Sequence, residues 1–214
     1  MPLYTTDALI LRSYKLGESD RIVVFLTRDR GKKRGVAKNA RQSRRRFGGA
    51  LEPLTCGRVA YLEREQRELV RLEYVEVTRS PLSAVDGDSL GYVGYFAELL
   101  DEWAQEADPN EPLFRLGTTV VEAIAAGVPI ERLARYFEYW LLRLQGVYEL
   151  DGGMSAEAQA FLAAARTTSP FMLGGVTVSR SSLREIEKAH HALIAMHLEK
   201  DLKSLRVLRE MQRS

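Results

Sequence analysis

The chain has 214 residues, of which 45% are hydrophobic, and a formal net charge of +2. Its single cysteine, Cys56, excludes an internal disulfide and a zinc site built from several cysteines, so we expect a reducing compartment. No apolar run approaches the roughly 20 residues that span a bilayer, and the first residues lack the features of a secretory signal. These properties predict a soluble, cytoplasmic protein with no membrane partner.

The charge is distributed unevenly along the chain. Residues 1–80 hold 18 basic and 10 acidic side chains, a net charge of +8, whereas residues 81–214 hold 13 and 19, a net charge of −6. A separation of this size indicates that the first part meets a polyanion and that the second part does not.

The first 80 residues predict five short strands. Two apolar runs rich in β-branched and aromatic residues, 8–11 and 22–26, flank turn residues at 17–20. Residues 32–38 are a possible third strand, and two more strands are expected at 55–62 and 68–77. No helical periodicity interrupts them, which favours a small closed sheet.

Residues 31–49 contain eight cations, four glycines and no carboxylate. Because like charges repel, such a segment cannot form a core of its own, so it either lies on another part of the protein or binds a polyanion. A solvated basic loop without a partner is the alternative, but the charge asymmetry favours nucleic acid. The residues predicted to bind nucleic acid are Lys32, Lys33, Arg34, Lys38, Arg41, Arg44, Arg45, Arg46 and Phe47.

Five strands with a long basic connection in the middle are the pattern of an OB-fold, which binds single strands through a cationic groove and stacking aromatic rings. The rings available in this part are Tyr14, Phe25, Phe47, Tyr61 and Tyr74. Packing is the better explanation for each of them except Phe47, because the basic residues around Phe47 offer it little core.

Ser80 and Pro81 mark the predicted domain boundary, since a proline ends the strand and the composition changes after it. Apolar residues at spacings of three and four indicate helices over 92–103 and 113–126 and a third helix from Pro129, with Leu144 facing inward. We therefore predict an α+β fold, with a five-stranded OB-fold barrel over 1–80 and an all-α domain over 81–214.

The last third of the sequence is less regular. Ser155 is a predicted N-cap of a short helix, and residues 167–178 are expected to form turns. One long helix is expected from Ser181 or Ser182 to about Leu208.

No catalytic arrangement is evident. His190 and His197 share a helix face but stand about 10 Å apart, too far to ligate one metal ion, and their charged neighbours indicate a solvated face. Cys56 has no histidine near it in the sequence, and a small buried residue in a strand is its expected role. We predict a binding protein, not an enzyme, with no metal and no cofactor.

Short motifs between residues 17 and 53 resemble, in order and spacing, the bacterial DNA repair and recombination mediator RecO family. They are Gly17-Glu18-Ser19-Asp20-Arg21, Thr27-Arg28, Gly31-Lys32, Val36-Ala37-Lys38-Asn39-Ala40-Arg41 and Leu51-Glu52-Pro53. The similarity continues more weakly through the helices, and residues 201–206 resemble the signature of the family's final helix.

The resemblance implies an OB-fold on a helical domain without a catalytic centre. It also implies binding of single- and double-stranded DNA and annealing of complementary strands. The implied partners are RecR and the tail of the single-stranded-DNA-binding protein, which RecA then replaces on DNA in the nucleoid. Lys203 and Arg206 are candidates for receiving an acidic partner tail, although a solvated pair at a helix end is the simpler interpretation.

Two departures from the family pattern matter. The family commonly has a four-cysteine zinc site at about residues 151–175, but this stretch has four glycines and no cysteine, so zinc should be absent and the local fold is open. Asn39 stands where glycine is usual, and both residues tolerate left-handed backbone.

Annealing requires that the repulsion between two polyanions be screened, and a mobile cationic loop can do this without reading bases. If about six of the eight cations meet phosphates, log K against log salt should slope near −4. The alternative is an adaptor whose acidic helical domain docks partner proteins, with incidental DNA contact. A hidden nuclease is a third possibility.

Overall fold

The structure is a computed structural model that describes residues 2–64, 68–85, 87–149 and 153–211. Its five strands are β1 (Leu3–Leu16), β2 (Asp20–Thr27), β3 (Gly31–Ala37), β4 (Cys56–Leu62) and β5 (Val70–Arg79), with the one-turn helix α1 (Arg44–Phe47) between β3 and β4. They close into a barrel in the order β1-β2-β3-β5-β4. The predicted five-stranded barrel is confirmed, and its topology is consistent with an OB-fold.

The barrel is antiparallel except where β3 meets β5. These two strands run parallel over only three residue pairs, from Gly35 with Val70 to Ala37 with Leu72. Side chains alternate between the inside and the outside of each strand. The inside is filled by Ala8, Ile10, Val23, Phe25, Ala37, Val59, Tyr61, Val70, Leu72 and Val75.

A helical region follows the barrel. Its helices are α2 (Gly87–Trp103), α3 (Glu111–Ala125), α4 (Ile130–Leu144), α5 (Ala156–Thr167), α6 (Arg180–Leu198) and α7 (Lys203–Met211), with short 3₁₀ turns at Pro81–Ser83 and Pro170–Gly175. Side-chain caps explain where α3, α5 and α6 begin, because Asn110, Ser155 and Ser179 each accept a hydrogen bond from a free N–H of the first turn.

Two predictions about the helices are wrong. The last helical stretch is not continuous, because Glu199 adopts left-handed backbone (φ 53°) and ends α6 before α7 begins. Leu144 does not face inward, since it is the last residue of α4 and 39% exposed. The spacing of apolar residues predicts a buried side chain only where the helix continues beyond that residue.

The helices pack on the outside of β1 and β2. Leu9, Leu11, Val24 and Leu26 belong to one hydrophobic core together with residues of α2, α3 and α4. Gly117 of α3 permits this close approach, since a Cβ at that position would lie 2.7 Å from Leu9 Cδ2. The barrel and the helices therefore share the larger of the two hydrophobic cores.

Paired hydrogen bonds join the starts of α5 and α6, in the region whose fold the sequence left open. Glu185 of α6 accepts from the main-chain N (2.8 Å) and the Oγ (2.6 Å) of Ser155. Glu157 of α5 accepts from Ser179 Oγ and, at 2.5 Å, from Ser182 Oγ, and these bonds lower the pKa of Glu157. The two N-termini are thus held together by serine hydroxyls and carboxylates.

Candidate nucleic-acid interface

The basic stretch has two structural parts. Residues 31–37 form β3, as the sequence suggested, and hydrogen-bond along β2. Residues 38–46, called the basic turn below, leave the barrel after β3 and lead through α1 to Phe47. Only the second part forms a loop.

The two lysines of β3 are paired with carboxylates. Lys32 forms an ion pair of 3.2 Å with Asp101 of α2, and Lys33 one of 2.7 Å with Glu63 after β4. Both lysine side chains are largely buried. Because these charges are compensated within the protein, Lys32 and Lys33 hold the structure together and are poorly placed to receive phosphates.

Arg34 lies on the outer face of β3. Its Nη2 donates a hydrogen bond of 3.3 Å to the hydroxyl oxygen of Tyr14 on β1. This bond raises the pKa of Arg34, which stays charged. Arg34 is half-buried and belongs to the barrel wall.

The basic turn carries the exposed charge. Lys38, Arg41 and Arg45, called the exposed cations below, are all solvent-accessible and make no ion pair with any carboxylate that the structure describes. The guanidinium of Arg41 donates to the main-chain oxygen of Glu18, at 2.9 Å. Charges without an internal counter-ion remain available to an external anion.

Arg46 stabilises the shape of the basic turn. Its Nε donates to Ser43 Oγ (2.9 Å) and its Nη2 to the main-chain oxygen of Lys38 (2.8 Å). Asn39 adopts left-handed backbone (φ 54°), which asparagine and glycine both tolerate, and its N–H donates to Asp20 Oδ1 at 2.8 Å. The side chain of Arg44 lies outside the described part of the structure.

Phe47 is not an exposed ring. It is 3% exposed and packs in the barrel core with Ala50 and Leu51, so the prediction that it lacks a core is wrong. The sequence showed only the polar neighbours of Phe47 and not the barrel beneath them. The ring anchors the end of the basic turn, and the Arg46 guanidinium lies 5.1 Å from its centre.

An open cleft of about 640 Å³ adjoins the basic turn. Arg21 and Arg41 line it together with the exposed Gly48 and Gly49 and with Glu52, which lies 3.9 Å from the Arg21 guanidinium. Gly49 has φ +71°, which few other residues adopt. The Arg41 guanidinium, which has no described carboxylate partner, is a suitable group for a phosphate in this cleft.

The second candidate site lies at the start of α7. Lys203 and Arg206 are exposed and border a cleft of about 410 Å³. The main-chain N–H groups of Lys203 and Ser204 donate to the Glu98 carboxylate (3.1 and 2.7 Å), which caps α7 from α2. The two cations therefore share one side of a fixed helix.

Sequence reasoning missed a buried charge cluster in the helical region. Glu138 is fully buried and accepts hydrogen bonds from Arg135 (2.7 Å) and Tyr95 (2.8 Å), and its other oxygen lies 3.0 Å from His190 Nδ1. The expected solvated face for His190 is wrong, because this ring is completely buried. The sequence did contain one sign of this cluster. Glu138 lies on the same helix face as the apolar residues Ala134, Leu141 and Leu142, which indicates a buried carboxylate.

Burial opposes the charged form of Glu138, but Arg135 and the two histidines, His190 and His191, outweigh it and hold the pKa of Glu138 well below its usual value. Burial lowers the pKa of His190. Cys56, at the start of β4, is half-buried against the larger core, and burial raises the pKa of its thiol to about 12.

The described residues contain no group of three or more histidine, cysteine, aspartate or glutamate side chains placed to hold a metal ion. Within the same residues, every helix is too short or too polar to cross a bilayer.

Comparison with known proteins points to one family. The family model described as "Recombination protein O N terminal" matches residues 1–81. The model described as "Recombination protein O C terminal" matches residues 84–151. The DNA repair protein RecO of Geobacter metallireducens is 32% identical over 240 residues, covering 97% of this chain and 97% of that protein. That of Koribacter versatilis is 44% identical over 145 residues, covering 67% of this chain and 59% of that protein. That of Anaeromyxobacter sp. (strain K) is 41% identical over 141 residues, covering 65% of this chain and 55% of that protein. In the last two cases the match spans little more than half of the relative.

Proposed function

Because this chain belongs to the RecO family of DNA repair proteins, we propose that it binds single- and double-stranded DNA through the basic turn and anneals complementary strands. One observation supports this most strongly: Lys38, Arg41 and Arg45 are exposed without a described counter-ion, whereas Lys32 and Lys33 of the preceding strand are paired. The protein thus separates cations that stabilise its fold from cations that face outward.

The chemistry of the exposed cations fits annealing. Two complementary strands repel each other through their phosphates, and cations that contact both backbones screen this repulsion. Arginine forks onto phosphate oxygens without reading a base, so any sequence can be bound. With Lys32 and Lys33 engaged inside the protein, three to five phosphate contacts remain, for which a salt slope of about −2 to −3.5 is expected on a single strand.

The wider role follows from family membership and is part of the proposal. We expect cooperation with RecR and with the tail of the single-stranded-DNA-binding protein, so that RecA can be loaded, and a cytoplasmic, nucleoid-associated location. The exposed pair Lys203 and Arg206 on α7 is the candidate site for an acidic tail. Binding and screening require no catalytic residue, so we expect no enzymatic activity.

A matched pair of variants tests the proposal. The first replaces the exposed cations Lys38, Arg41 and Arg45 by alanine. The control replaces Lys188, Arg115 and Arg166, which are also exposed, lie on helices and remove the same charge. The measurement is the rate at which labelled complementary oligonucleotides anneal. The first variant should anneal at least about tenfold more slowly than the control, which should match the wild type.

Other results would favour the other functions. If the helical region is a protein adaptor and DNA contact is incidental, both variants bind the partner proteins as the wild type does. Annealing is then slow with the wild type and with both variants. If the protein is a nuclease, labelled DNA is cleaved when magnesium or manganese is added. Normal annealing by the first variant would contradict the role of the basic turn.

A further inference from the structure

The outer face of β1, β2 and β3 is divided in two. One half, which includes Leu9, Leu11 and Leu26, lies under the helices as part of the larger core. The other half, called the uncovered half below, contributes no residue to that core. There Tyr14, Ile22 and Val36 form one row across the three strands, as their register shows. Tyr14 is the aromatic residue of this uncovered half.

Two arginines hold the ring of Tyr14. Arg34 donates to its hydroxyl at 3.3 Å from the β3 side, and the guanidinium of Arg12 lies 5.8 Å from the ring centre. Arg12 is itself fixed by a 3.0 Å ion pair with Asp101. The ring is therefore positioned between cations, yet the residue remains 37% exposed. A held aromatic face beside guanidinium groups is the arrangement on which nucleic-acid bases stack.

The other rings of the barrel are less suitable. Phe25, Phe47 and Tyr61 are buried in its core. Tyr4 is covered by the guanidinium of Arg30, 3.9 Å from its centre. Tyr74 on β5 is exposed, but within the described residues no guanidinium lies over its ring.

Tyr14 lies at the same end of the barrel as the basic turn. The β1–β2 connection begins two residues after Tyr14, where Leu16 pairs with Asp20. The basic turn packs on this connection, since Arg41 N–H donates to the main-chain oxygen of Ser19 and its guanidinium to that of Glu18. A strand whose phosphates bind Arg41 therefore passes close to the uncovered half of the sheet.

We propose that Tyr14, held between Arg12 and Arg34, stacks on an unpaired base and gives the protein a preference for single-stranded over double-stranded DNA. This rests on the proposed function, because it assumes that the exposed cations bind the backbone. The two contributions differ in kind: the exposed cations bind any phosphate chain, whereas Tyr14 requires a base that is free of its partner.

Substitution of Tyr14 separates these contributions. Tyr14→Leu removes the ring, Tyr14→Phe keeps it without the hydroxyl, and Tyr74→Leu removes the exposed ring of β5 as a control. Each variant is tested with an oligothymidylate, with an abasic oligonucleotide of the same length and with a duplex. Tyr14→Leu should bind the oligothymidylate roughly 5- to 100-fold more weakly, the range that one lost stacking contact gives.

Binding of Tyr14→Leu to the abasic strand and to the duplex should equal that of the wild type, because neither offers an unstacked base. Tyr74→Leu should bind all three probes as the wild type does. Tyr14→Phe keeps the ring but loses the hydrogen bond from Arg34, so it should bind the oligothymidylate more tightly than Tyr14→Leu and no more tightly than the wild type. The salt slope should be unchanged in all three variants, since no charge is removed.

The proposal is overturned if Tyr14→Leu binds the oligothymidylate as tightly as the wild type, if it weakens binding to the abasic strand equally, or if Tyr74→Leu has the same effect. Failure of the proposed function has a different signature: the wild type itself then binds none of the three probes, or binds them without salt dependence. Because Tyr14 is a surface residue, each variant is expected to fold, which thermal unfolding checks.

Discussion

Lys32 Nζ lies 2.6 Å from the main-chain oxygen of Asp101 and 3.2 Å from its Oδ1, so a lysine of the basic stretch ties the barrel to helix α2. Substitution of Lys32 by methionine keeps most of the aliphatic stem and removes this donor. We expect the free energy of unfolding, measured with urea, to fall by about 1–3 kcal/mol, because two oxygens at a largely buried site lose a charged donor.

The matched control is Lys38→Met, at an exposed position of the basic turn without a described carboxylate partner. It should change stability by less than about 0.5 kcal/mol and should weaken DNA binding instead. Lys32→Met should leave the salt slope of DNA binding unchanged. The opposite pattern, with Lys32 affecting DNA and Lys38 affecting stability, would contradict the division between structural and exposed cations.

Phe47 should matter for packing and not for base contact. Replacing it by alanine removes a ring from the core of the barrel and should cost about 3–5 kcal/mol of unfolding free energy. Phe47→Leu preserves an apolar side chain and should retain the wild-type affinity for single-stranded DNA. A weaker affinity of folded Phe47→Leu for oligothymidylate, but not for an abasic strand, would show that the ring reaches a base after all.

The buried carboxylate of Glu138 should be among the more sensitive positions of the helical region. Glu138→Leu leaves the guanidinium of Arg135, which is 2% exposed, without its nearest partner, and the expected loss is about 3–5 kcal/mol. Glu131→Leu is the control. Glu131 pairs with Arg180 at 3.8 Å on the surface, and its loss should cost no more than about 1 kcal/mol. Similar losses in urea unfolding for both variants would contradict this.

Stability should decrease in mildly acidic solution. Burial lowers the pKa of His190, so the unfolded chain binds more protons at this residue than the folded chain does. Stability therefore falls as the pH drops through the pKa of an unfolded histidine, about 6.5. Glu138 acts in the same direction at lower pH, because its pKa is depressed in the folded protein. The stability that its carboxylate contributes is lost only below the pKa of an unfolded glutamate, about 4.3. The groups around His190 are Glu138, Tyr148, Arg135 and His191.

The measurement is the urea concentration at the unfolding midpoint, at about pH 7.5 and about pH 5.5, on either side of the pKa of an unfolded histidine. The wild type should lose stability between these conditions. His190→Gln retains a side chain that can hydrogen-bond Glu138 but does not titrate, so its loss should be smaller. An equal loss in both proteins would assign the acid sensitivity to other groups.

Much of the fold is predictable from local pattern. The five strands follow from apolar, β-branched runs separated by turn residues. The starts of α4 and α5 follow from Pro129, which opens a helix, and Ser155, which caps one. The break between α6 and α7 was not predictable, because Glu199 has no intrinsic preference for left-handed backbone. Here tertiary packing of α7 against α2, including the Glu98 cap, decides the conformation.

The candidate site was predictable in composition and not in detail. A run of cations without carboxylates is visible in the sequence, but which of them find partners depends on residues far along the chain. Asp101 and Glu63, which pair with Lys32 and Lys33, are separated from them by 69 and 30 positions. The burial of Phe47 likewise depends on the closure of the barrel, which brings β5 residues such as Leu72 into the same core.

The most direct test of the basic turn is the slope of log K against log salt for single-stranded DNA. The wild type and the control lacking Lys188, Arg115 and Arg166 should both give about −2 to −3.5, and the variant lacking Lys38, Arg41 and Arg45 should be flatter by about 2, from about 0.7 per lost phosphate contact. If the three proteins gave the same slope, the exposed cations of the basic turn would not be the residues that bind the DNA backbone.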